Sequence, residues 1–516
     1  MFSLGRWPTD AERQREEPVD KAKPFSIPKR EVWEAFKRVK ANQGAAGADG
    51  QSIADFEANL KGNLYKLWNR MSSGSYFPPP VRRVDIPKAI GGTRPLGIPT
   101  VADRVAQEFA KREVWEAFKR VKANQGAAGV DGQTIADFEA NLSGNLYKLW
   151  NRLSSGSYFP PPVRRVDIPK ASGGTRPLGI PTVADRVAQE VARRYLEPLL
   201  EPVFHDDSYG YRPGRSAIDA VGKARERCWR SDWVLDLDIK GFFDNIDWEL
   251  MLKAVRHHTD CPWVLLYIER WLQAPVQMGD GCVVARTAGT PQGGVISPLL
   301  ANLFLHYAFD MWMVREFPHI PFERYADDMI CHCKTEEEAR ALWLAIADRL
   351  ATCKLVLHPD KTKIVYCKDV NRRDDYPIIR FDFLGYQFRA RKIMWVKKDR
   401  RIFAHSFMPA ASPKALMRIG REIRSWALHH RSDKSLDELA AMYNPKIRGW
   451  ITYYSHFYRT RLRPTLRRID AYVIRWARRK YKRMVHWTKA ARDWFDRLRR
   501  RTPKLFAHWS LCHGNG

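Results

Sequence analysis

Hydrophobic and polar residues follow the period of amphipathic helices along the first part of the chain, and the whole pattern occurs there twice. Residues 29–108 recur at 111–190, an offset of 82, with five differences in 80 positions. Each copy predicts a helix over "EVWEAFKRVKAN", a Gly-rich turn, a second helix that starts at "IADFEANL", and a strand pair around "VRRVDIP" and "TRPLGIP". The pattern therefore predicts a tandem duplication of one structural block, because solenoid repeats are shorter and more numerous.

The second copy is the one that runs directly into the rest of the chain. We therefore expect it to occupy the functional position. The first copy, residues 29–110, becomes a tethered extra block that follows an N-terminal extension of residues 1–28. The sequence leaves two fates open for this extra block, which either packs elsewhere or competes with the second copy for the same place.

Beyond the repeats, alternation with a period of two indicates β-strands. A strand that begins at Trp233 has Asp236 and Asp238 on one face, and the segment that follows it turns into a helix with Asn245 or Asp247 as the expected cap. Buried carboxylates near the end of a strand are costly unless a cation neutralises them. The strand therefore predicts a cation site.

A second candidate for the same site lies in "FERYADDMICHCK", residues 322–334, which predicts strand, turn and strand. Asp327 and Asp328 stand at the turn. Two strands that each deliver carboxylates can bring three of them together around divalent metal, and hard oxygen ligands with open positions for phosphate suit Mg²⁺. The nearby Cys331-His332-Cys333 is not expected to bind metal, because alternation points the histidine away from the two thiols.

A Gly-rich loop lies between these two segments, in "AGTPQGGVISPLLANLFLH", residues 288–306. Its glycines allow close approach of the backbone, and Ser297-Pro298 predicts the start of a helix. Such a loop is suited to lie against a base pair that is being formed.

Composition narrows the possible partners. The chain has 88 Lys+Arg against 58 Asp+Glu, a formal charge of +30, and this favours a polyanion such as nucleic acid or an anionic membrane. Residues 411–516 hold 26 of the basic residues and 7 of the acidic ones. Their charge is spread over several predicted helices without one lipid-facing side, which favours RNA over a membrane surface. The eight cysteines show no paired spacing, and no run of about 18 apolar residues predicts a membrane span.

Taken in order, these motifs resemble those of a known family. "NQGAAGVDG", "IPKASGGTRPLGIPT", "TPQGG", "YADD", "FLGY" and "YNPKIRGWITYYSHF" are similar to blocks of the group II intron-encoded proteins, which are reverse transcriptase/maturases of the bacterial type. The resemblance covers most of the chain. No Cys/His-rich nuclease segment follows residue 509, so the expected type is one that lacks the C-terminal endonuclease domain.

The resemblance implies roles for individual residues. Asp238, Asp327 and Asp328 would be the catalytic carboxylates and the ligands of two Mg²⁺ ions, with Asp236 and Asp244 in support. The implied substrate-binding residues are Phe243 as the gate against a ribose 2′-hydroxyl, Gln292 at the nascent base pair, and Lys170 and Arg176 at the triphosphate. The implied primer grip is Phe383, Leu384, Gly385 and Tyr386. The implied RNA-binding residues are Arg448, Arg461, Arg463, Arg478, Arg479 and Lys480.

The implied fold is α+β, a right-hand polymerase with fingers and a palm on a small antiparallel sheet, followed by an all-helical thumb/maturase domain. The expected domains are the extension 1–28, the first copy 29–110, the second copy as fingers 111–195, the palm with remaining fingers 196–405, and the thumb/maturase with the basic C-terminal region 406–516.

The implied function is RNA-directed DNA synthesis for a group II intron, with binding of the intron RNA to assist splicing and mobility. The expected partners are the intron RNA, an RNA template, a DNA primer or target and deoxynucleoside triphosphates, with no membrane. The expected location is the cytoplasm, as a ribonucleoprotein that associates with the nucleoid during mobility. Two alternatives stay open: a splicing-only maturase whose polymerase is impaired by the duplication, and a domesticated reverse transcriptase in defence or repair.

Overall fold

The structure is a computed structural model that describes residues 29–72, 76, 79–87, 93–169, 174–397 and 400–513. The chain is α+β, with many helices and small, mostly antiparallel sheets. The helices of the described residues are α1 (Lys29–Ala41), α2 (Ile53–Ala58), α3 (Leu60–Ser72), α4 (Val101–Asn124), α5 (Ile135–Ala140), α6 (Leu142–Ser154), α7 (Val183–Leu200), α8 (Ala217–Cys228), α9 (Phe242–Asn245), α10 (Trp248–Arg256), α11 (Pro262–Gln273), α12 (Ser297–Leu305), α13 (Met311–Glu316), α14 (Glu336–Thr352), α15 (Pro413–Ser425), α16 (Leu436–Tyr454), α17 (Arg463–Lys480), α18 (Thr488–Arg501) and α19 (Trp509–His513).

The strands form four sheets within the described residues. They are β1 (Arg82–Pro87), β2 (Thr93–Ile98), β3 (Val163–Pro169), β4 (Thr175–Ile180), β5 (Trp233–Asp238), β6 (Val276–Gln277), β7 (Val283–Val284), β8 (Phe322–Tyr325), β9 (Asp328–Cys333), β10 (Lys363–Tyr366), β11 (Phe381–Phe383), β12 (Tyr386–Lys397) and β13 (Arg400–Ala411). The sheet orders are β1-β2, β4-β3-β6-β7, β10-β5-β9-β8 and β11-β12-β13.

The chain divides into two compact units. The first unit comprises residues 1–204 and 241–304, and the second unit comprises residues 205–240 and 305–516. The segment expected as the palm, residues 196–405, is therefore divided between the two units.

In the first unit, the duplicated blocks fold as two copies of one helical module that share a helix. Helix α4 contains both the last helix of the first copy and the first helix of the second copy, without a break at the junction. Helix α1 packs on α4, and α4 packs on α7. Matched ion pairs accompany this packing, since Arg38 lies 3.5 Å from Glu108 and Arg120 lies 3.5 Å from Glu190.

Each module has its own aromatic core. Phe36 stacks on Phe56 with ring centroids 5.7 Å apart, and the matched pair Phe118 and Phe138 stacks at 5.6 Å. The expected second helix of each copy is interrupted, because Asn59 and its counterpart Asn141 leave the helical conformation with φ near −125°. The single helix predicted there is therefore wrong in both copies: α2 with α3, and α5 with α6, replace it.

The strand pair of each copy has a different neighbour. In the second copy, β3 pairs with β6 and so joins a four-stranded sheet, and the Val163 side chain is only 1% exposed. In the first copy, β1 and β2 form a sheet of two strands, and the matched Val81 is 53% exposed. The second copy is thus the one that is built into the rest of its unit.

In the second unit, β5 is a central strand of the sheet β10-β5-β9-β8, in which every pairing is antiparallel. Helix α8 packs against β8, β9 and β13. One hydrophobic core runs from Val234 and Ile330 of this sheet, through Phe381 and Phe407, to Trp476 of α17. The sheet and the C-terminal helices therefore form one packed body.

We predict that disruption of the aromatic core of one module leaves the other module folded. Phe118→Ala should remove about 3–5 kcal/mol from the second module, because Phe118 is a buried core aromatic. Phe36→Ala is the matched change in the first module. Hydrogen exchange measured by mass spectrometry should show each substitution exposing the backbone of its own module, with peptides assigned through the five differing positions. Exposure of β3 and β4 by Phe36→Ala would contradict this prediction.

Candidate active site

Two of the predicted carboxylates face each other across neighbouring strands of the second unit. In the antiparallel pair of β5 and β9, Asp238 is the direct partner of Asp328. Residues that are directly opposite in such a pair share one face of the sheet, with β-carbons about 5 Å apart. The fold therefore brings together two aspartates that are 90 positions apart in the sequence.

The third carboxylate, Asp327, lies in the two-residue turn between β8 and β9. The turn requires a positive φ at Ala326, which is +57°. Arg324 is fully buried and its guanidinium donates to both carboxylate oxygens of Asp310, at 2.7 and 2.6 Å, and to the Ala326 carbonyl at 3.3 Å. A buried ion pair therefore fixes the turn that carries Asp327.

Gly210 supports the same turn from the other side. A β-carbon on Gly210 would lie 2.5 Å from the backbone nitrogen of Ala326, so the close approach requires glycine there. The segment around it runs along β8, since the Tyr209 amide donates to the Arg324 carbonyl at 2.8 Å. The "HDDSYGYRPGRSA" loop is thus part of the scaffold of the site, a role that its sequence did not reveal.

Burial and neighbouring carboxylates raise the pKa of two aspartates in this group. Burial, together with the charges of Asp327 and Asp238, raises the pKa of Asp328 to about 7. Burial, with Asp328 as the next cause, holds the pKa of Asp236 well above its ordinary value, and Lys363 opposes this only in part. The site therefore binds protons strongly, as expected where a cation is to take their place.

Lys361 neutralises Asp238 in this structure. Its Nζ lies 3.2 and 3.0 Å from the two carboxylate oxygens. The backbone places it there, because the His358 amide donates to the Asp238 carbonyl at 2.7 Å. Lys361 was not among the predicted site residues; it stands in "LHPDKTK", residues 357–363, which leads into strand β10.

The donor set fits a hard divalent cation by its chemistry, because it consists of carboxylate oxygens at one end of a sheet and in the adjoining turn. Within the described ranges, however, no three His, Cys, Asp or Glu side chains are already grouped closely enough to hold a metal ion. The ion pair to Lys361 occupies both oxygens of Asp238. Binding of a cation by all three aspartates therefore requires Lys361 to release that carboxylate.

The expected primer grip is a tight hairpin next to these aspartates. Leu384 and Gly385 connect β11 to β12, and both have positive φ, +50° and +79°. The Leu384 amide donates to Asp328, which lowers the pKa of that carboxyl against the effect of burial. Phe383 and Tyr386 are fully buried on either side of the turn.

Helix α16 packs on the same hairpin. The Tyr453 hydroxyl donates to the Leu384 carbonyl at 2.7 Å, and the Tyr386 hydroxyl donates to the Tyr453 carbonyl. A β-carbon on Gly385 would lie 3.1 Å from the Tyr454 hydroxyl. A C-terminal helix is therefore bonded to the turn that contacts Asp328.

In the first unit, the Gly-rich loop is bonded to the segment that follows Asp238 in the sequence. The Thr290 amide donates to the Phe243 carbonyl at 2.7 Å, and a β-carbon on Gly289 would lie 2.5 Å from the same oxygen. Phe243 is half-buried against Phe242, with ring centroids 5.3 Å apart.

Of the two expected helix caps, Asp247 is confirmed, because its carboxylate accepts from the Leu250 amide at 3.0 Å and starts α10.

The same loop lies against the strand pair of the second copy. The Gly179 amide donates to the Gln292 carbonyl at 2.7 Å, and the Gln292 side chain is 3.5 Å from an Asp244 carboxylate oxygen. Arg176 is exposed on β4, three residues before Gly179. Lys170 lies outside the described residues, as does Lys88 of the first copy. The structure thus brings Gln292 to the strand that carries Arg176.

The expected RNA-binding residues lie on or beside helices α16 and α17. Arg448, Arg461 and Arg479 are exposed. Arg478 donates to the Val485 carbonyl at 2.8 Å, and the Nζ of Lys480 donates to the Lys434 carbonyl at 2.6 Å. These last two side chains therefore also stabilise the domain itself. Tyr454 is buried, so it does not offer a free ring for base stacking.

Comparison with known proteins identifies two family matches along the chain. Residues 168–388 match the family described as reverse transcriptase (RNA-dependent DNA polymerase), and residues 416–495 match the group II intron, maturase-specific domain. The first match includes the three expected catalytic aspartates, and the second includes helices α16 and α17. Across the described part of the chain, no helix has the length and apolar character that crossing a membrane requires.

Individual relatives agree with these matches. The chain is 34% identical over 293 residues to the protein YkfC of Escherichia coli, covering 49% of this chain and 77% of that one. It is 28% identical over 424 residues to the group II intron-encoded protein LtrA of Lactococcus lactis, covering 66% of this chain and 68% of that one. A putative COX1/OXI3 intron 1 protein of Saccharomyces cerevisiae is 29% identical over 197 residues, which cover 38% of this chain and 23% of that one.

We predict that Asp328→Asn makes the cation-free protein more stable at neutral pH. The carboxyl of Asp328 has a pKa raised from 3.8 to about 7, so folding stability falls as pH rises from about 4 to about 7, where only the unfolded chain loses its proton. The amide removes a penalty of up to about 4 kcal/mol. Urea unfolding in EDTA should show a gain that grows between these two pH values and is constant above them.

The matched control for this prediction is Asp375→Asn. That carboxyl is fully exposed and its pKa is lowered by Lys368, so its replacement should give no gain in stability at any of these pH values. An Asp328→Asn protein whose free energy of unfolding equals that of the unaltered protein at pH 8 would contradict the account of the carboxylate cluster.

We also predict that Lys361→Met strengthens cation binding. The ammonium group competes with a cation for Asp238, and an exposed ion pair of this kind is worth up to about 1 kcal/mol, which is about fivefold in affinity. Titration with Mn²⁺ alone, followed by electron paramagnetic resonance, measures this. Lys361→Arg keeps the ion pair and should keep the original affinity. An unchanged affinity in Lys361→Met would show that the ion pair does not oppose cation binding.

Proposed function

The chain belongs to the reverse transcriptases of the group II intron type, and from that premise we propose that its three aspartates form the centre of RNA-directed DNA synthesis. The chain is an RNA-directed DNA polymerase with a maturase-specific domain, and it assists splicing of a group II intron. The proposal concerns which residues carry out this function and how they do so.

The observation that carries the proposal is the pairing of Asp238 with Asp328 across β5 and β9, with Asp327 in the adjoining turn. Three carboxylates at one end of a small antiparallel sheet suit nucleotidyl transfer, because they can hold divalent cations that offset the negative charge developing on the phosphate oxygens. The raised pKa of Asp328 supports the assignment, since a strongly perturbed carboxyl beside other carboxylates is typical of a functional site.

A divalent metal is required by this class of polymerase, and we propose Mg²⁺, two ions, held by Asp238, Asp327 and Asp328. Bound there, the ions would activate the primer 3′-hydroxyl and neutralise the triphosphate. The chain contributes the rest by positioning. The Arg324–Asp310 ion pair fixes the turn that carries Asp327, the Leu384 amide orients Asp328, and Lys361 balances the charge of Asp238.

The remaining substrate roles are part of the proposal. Phe243 excludes a ribose 2′-hydroxyl, so the product is DNA, and Gln292 contacts the nascent base pair. Arg176 and Lys170 bind the triphosphate, where their charge offsets the charge that develops during transfer. The hydrogen bonds from Thr290 to Phe243 and from Gly179 to Gln292 support these roles, because they fix the loop and the strand that carry them.

The polymerase has the fingers, palm and thumb of a right hand in this proposal. The second copy supplies the fingers, the sheet of β5 and β9 forms the palm, and helices α15 to α18 form the thumb/maturase domain. The hairpin around Leu384 and Gly385 grips the primer, and its hydrogen bond to Tyr453 couples it to α16. The exposed arginines, among them Arg448, Arg461 and Arg479, bind intron RNA through phosphate contacts.

We predict that Asp327→Asn abolishes extension of a DNA primer on an RNA template, by at least about a thousandfold, whereas binding of the template is unchanged. The substitution removes one ligand and leaves the turn and its supporting ion pair intact. Primer extension with Mg²⁺ and deoxynucleoside triphosphates measures the first property and filter binding of RNA the second. Asp348→Asn, on helix α14, is the control that should extend normally.

The same assay tests the alternative of a splicing-only maturase. A chain without residues 29–110 should extend the primer at the rate of the full chain, because the second copy already fills the place beside β6. Extension only after the deletion would show that the first copy obstructs the polymerase. No extension by any form, with RNA binding retained, would replace the proposal by a binding function alone.

A further inference from the structure

The outer edge of strand β1 is bare in the first copy. Within the described residues β1 pairs with β2 and with no third strand, and Arg82, Arg83, Asp85 and Pro87 along it are exposed. A strand edge with unpaired backbone groups is a template for another strand. A two-stranded sheet is also only marginally stable alone, so a third strand would stabilise it.

The second copy shows that the start of this edge, at Val163 and Arg164, pairs when another strand lies beside it. The matched strand β3 pairs with β6, and the Val163 amide donates to the Pro275 carbonyl at 2.8 Å. The residues along the two edges are identical, since none of the five differences falls in 81–87. Within its own chain, β6 is already taken by the second copy. The partner of β1 is therefore a strand other than β6.

The outward backbone groups of β1 are identified by the register. Asp85 faces Pro95 and Pro87 faces Thr93, and prolines are tolerated in a strand where the missing N–H would point away from the ladder. The Val163 amide of the second copy, which corresponds to Val81, points outward as well. By the period of two, Val81, Arg83 and Asp85 direct their N–H groups toward the bare edge.

The side chains at this edge carry alternating charge. Arg83 and Asp85 lie on one face, 3.2 Å apart, with side chains that are 73% and 45% exposed. Their own ion pair is exposed and therefore weak. An antiparallel strand of the same sequence, centred on Val84, would set Arg83 opposite Asp85 and Asp85 opposite Arg83, so that each charge gains a second partner of opposite sign.

We propose that β1 is the dimerisation edge of this protein, and that its partner is β1 of a second copy of the chain. The two strands pair antiparallel about a twofold axis at Val84, and two hairpins become one four-stranded sheet. Arg83 and Asp85 exchange backbone hydrogen bonds across the axis, and the Val81 amide reaches the Pro87 carbonyl. The pairing is isologous, so the association closes at two chains.

Charge selects this register among the symmetric ones. A twofold axis at Arg83 would set Arg83 opposite its own copy, and an axis at Asp85 would do the same for the acidic residue. Like charges directly opposite each other destabilise a strand pair. The axis at Val84 avoids both, and it places an apolar residue at the centre. The inference does not depend on which residues catalyse polymerisation.

The test is an exchange of charges in the full-length protein. Arg83→Asp leaves two acidic residues on the edge and Asp85→Arg leaves two basic ones, so each variant alone should dimerise at least about tenfold more weakly than the unaltered chain. An equimolar mixture of the two variants restores opposite charges at both positions and should dimerise again. Sedimentation velocity on nucleic-acid-free protein, at moderate salt, measures the three dissociation constants.

The second copy supplies the matched controls. Arg165→Asp and Asp167→Arg make the same changes on β3, and they should leave the dissociation constant unaltered. Primer extension by all four variants confirms that each is folded. A chain that stays monomeric at all accessible concentrations, a mixture that fails to associate, or equal dimerisation after deletion of residues 29–110 would overturn the proposal. Association that appears only with RNA present would assign the edge to nucleic acid instead.

Discussion

The repulsion between aspartates at one end of the sheet β10-β5-β9-β8 is the constraint on which the site depends. Antiparallel pairing places Asp238 opposite Asp328, and burial makes the charge of Asp328 costly. The surrounding structure tolerates this only because other groups compensate: Lys361 pairs with Asp238, and the buried Arg324 fixes the neighbouring turn. Such a cluster is unfavourable without a cation. It suits a metal-dependent polymerase, because a bound cation relieves the repulsion between the carboxylates.

The period of two along the strands located carboxylates at two strand ends, and the resemblance to group II intron-encoded proteins singled out Asp238, Asp327 and Asp328 among them. Sequence reasoning could not identify Lys361 or Arg324. These residues act through contacts that depend on how distant strands pair, and nothing in their local pattern distinguishes them from surface residues. The interrupted helices at Asn59 and Asn141 were missed for another reason. The helical period continues through them, and only the backbone geometry at the asparagine reveals the break.

The duplication could be read directly from the sequence, but its structural consequence could not. Helix α4 joins the two modules without a break, so the end of the first copy serves as the beginning of the second. Covalent continuity favours the second copy as the one whose strands join the four-stranded sheet of the first unit. Helix α7 begins in the second copy and continues without interruption to Leu200, whereas the first copy could take that place only by breaking the same helix. Two nearly identical sequences thus have different neighbours because of their position in the chain.

The two hairpins illustrate how context determines the properties of a strand edge. The edge of β3 is paired with β6 at its start, and its valine is covered, whereas the edge of β1 has the same residues and remains in solvent. The backbone groups of a strand keep their hydrogen-bonding capacity whether or not a neighbour is present. Duplication of the block therefore also produces a second strand edge whose backbone groups can pair with another strand. Because the residues on this edge alternate in charge, an antiparallel copy of β1 is a partner that sets opposite charges against each other.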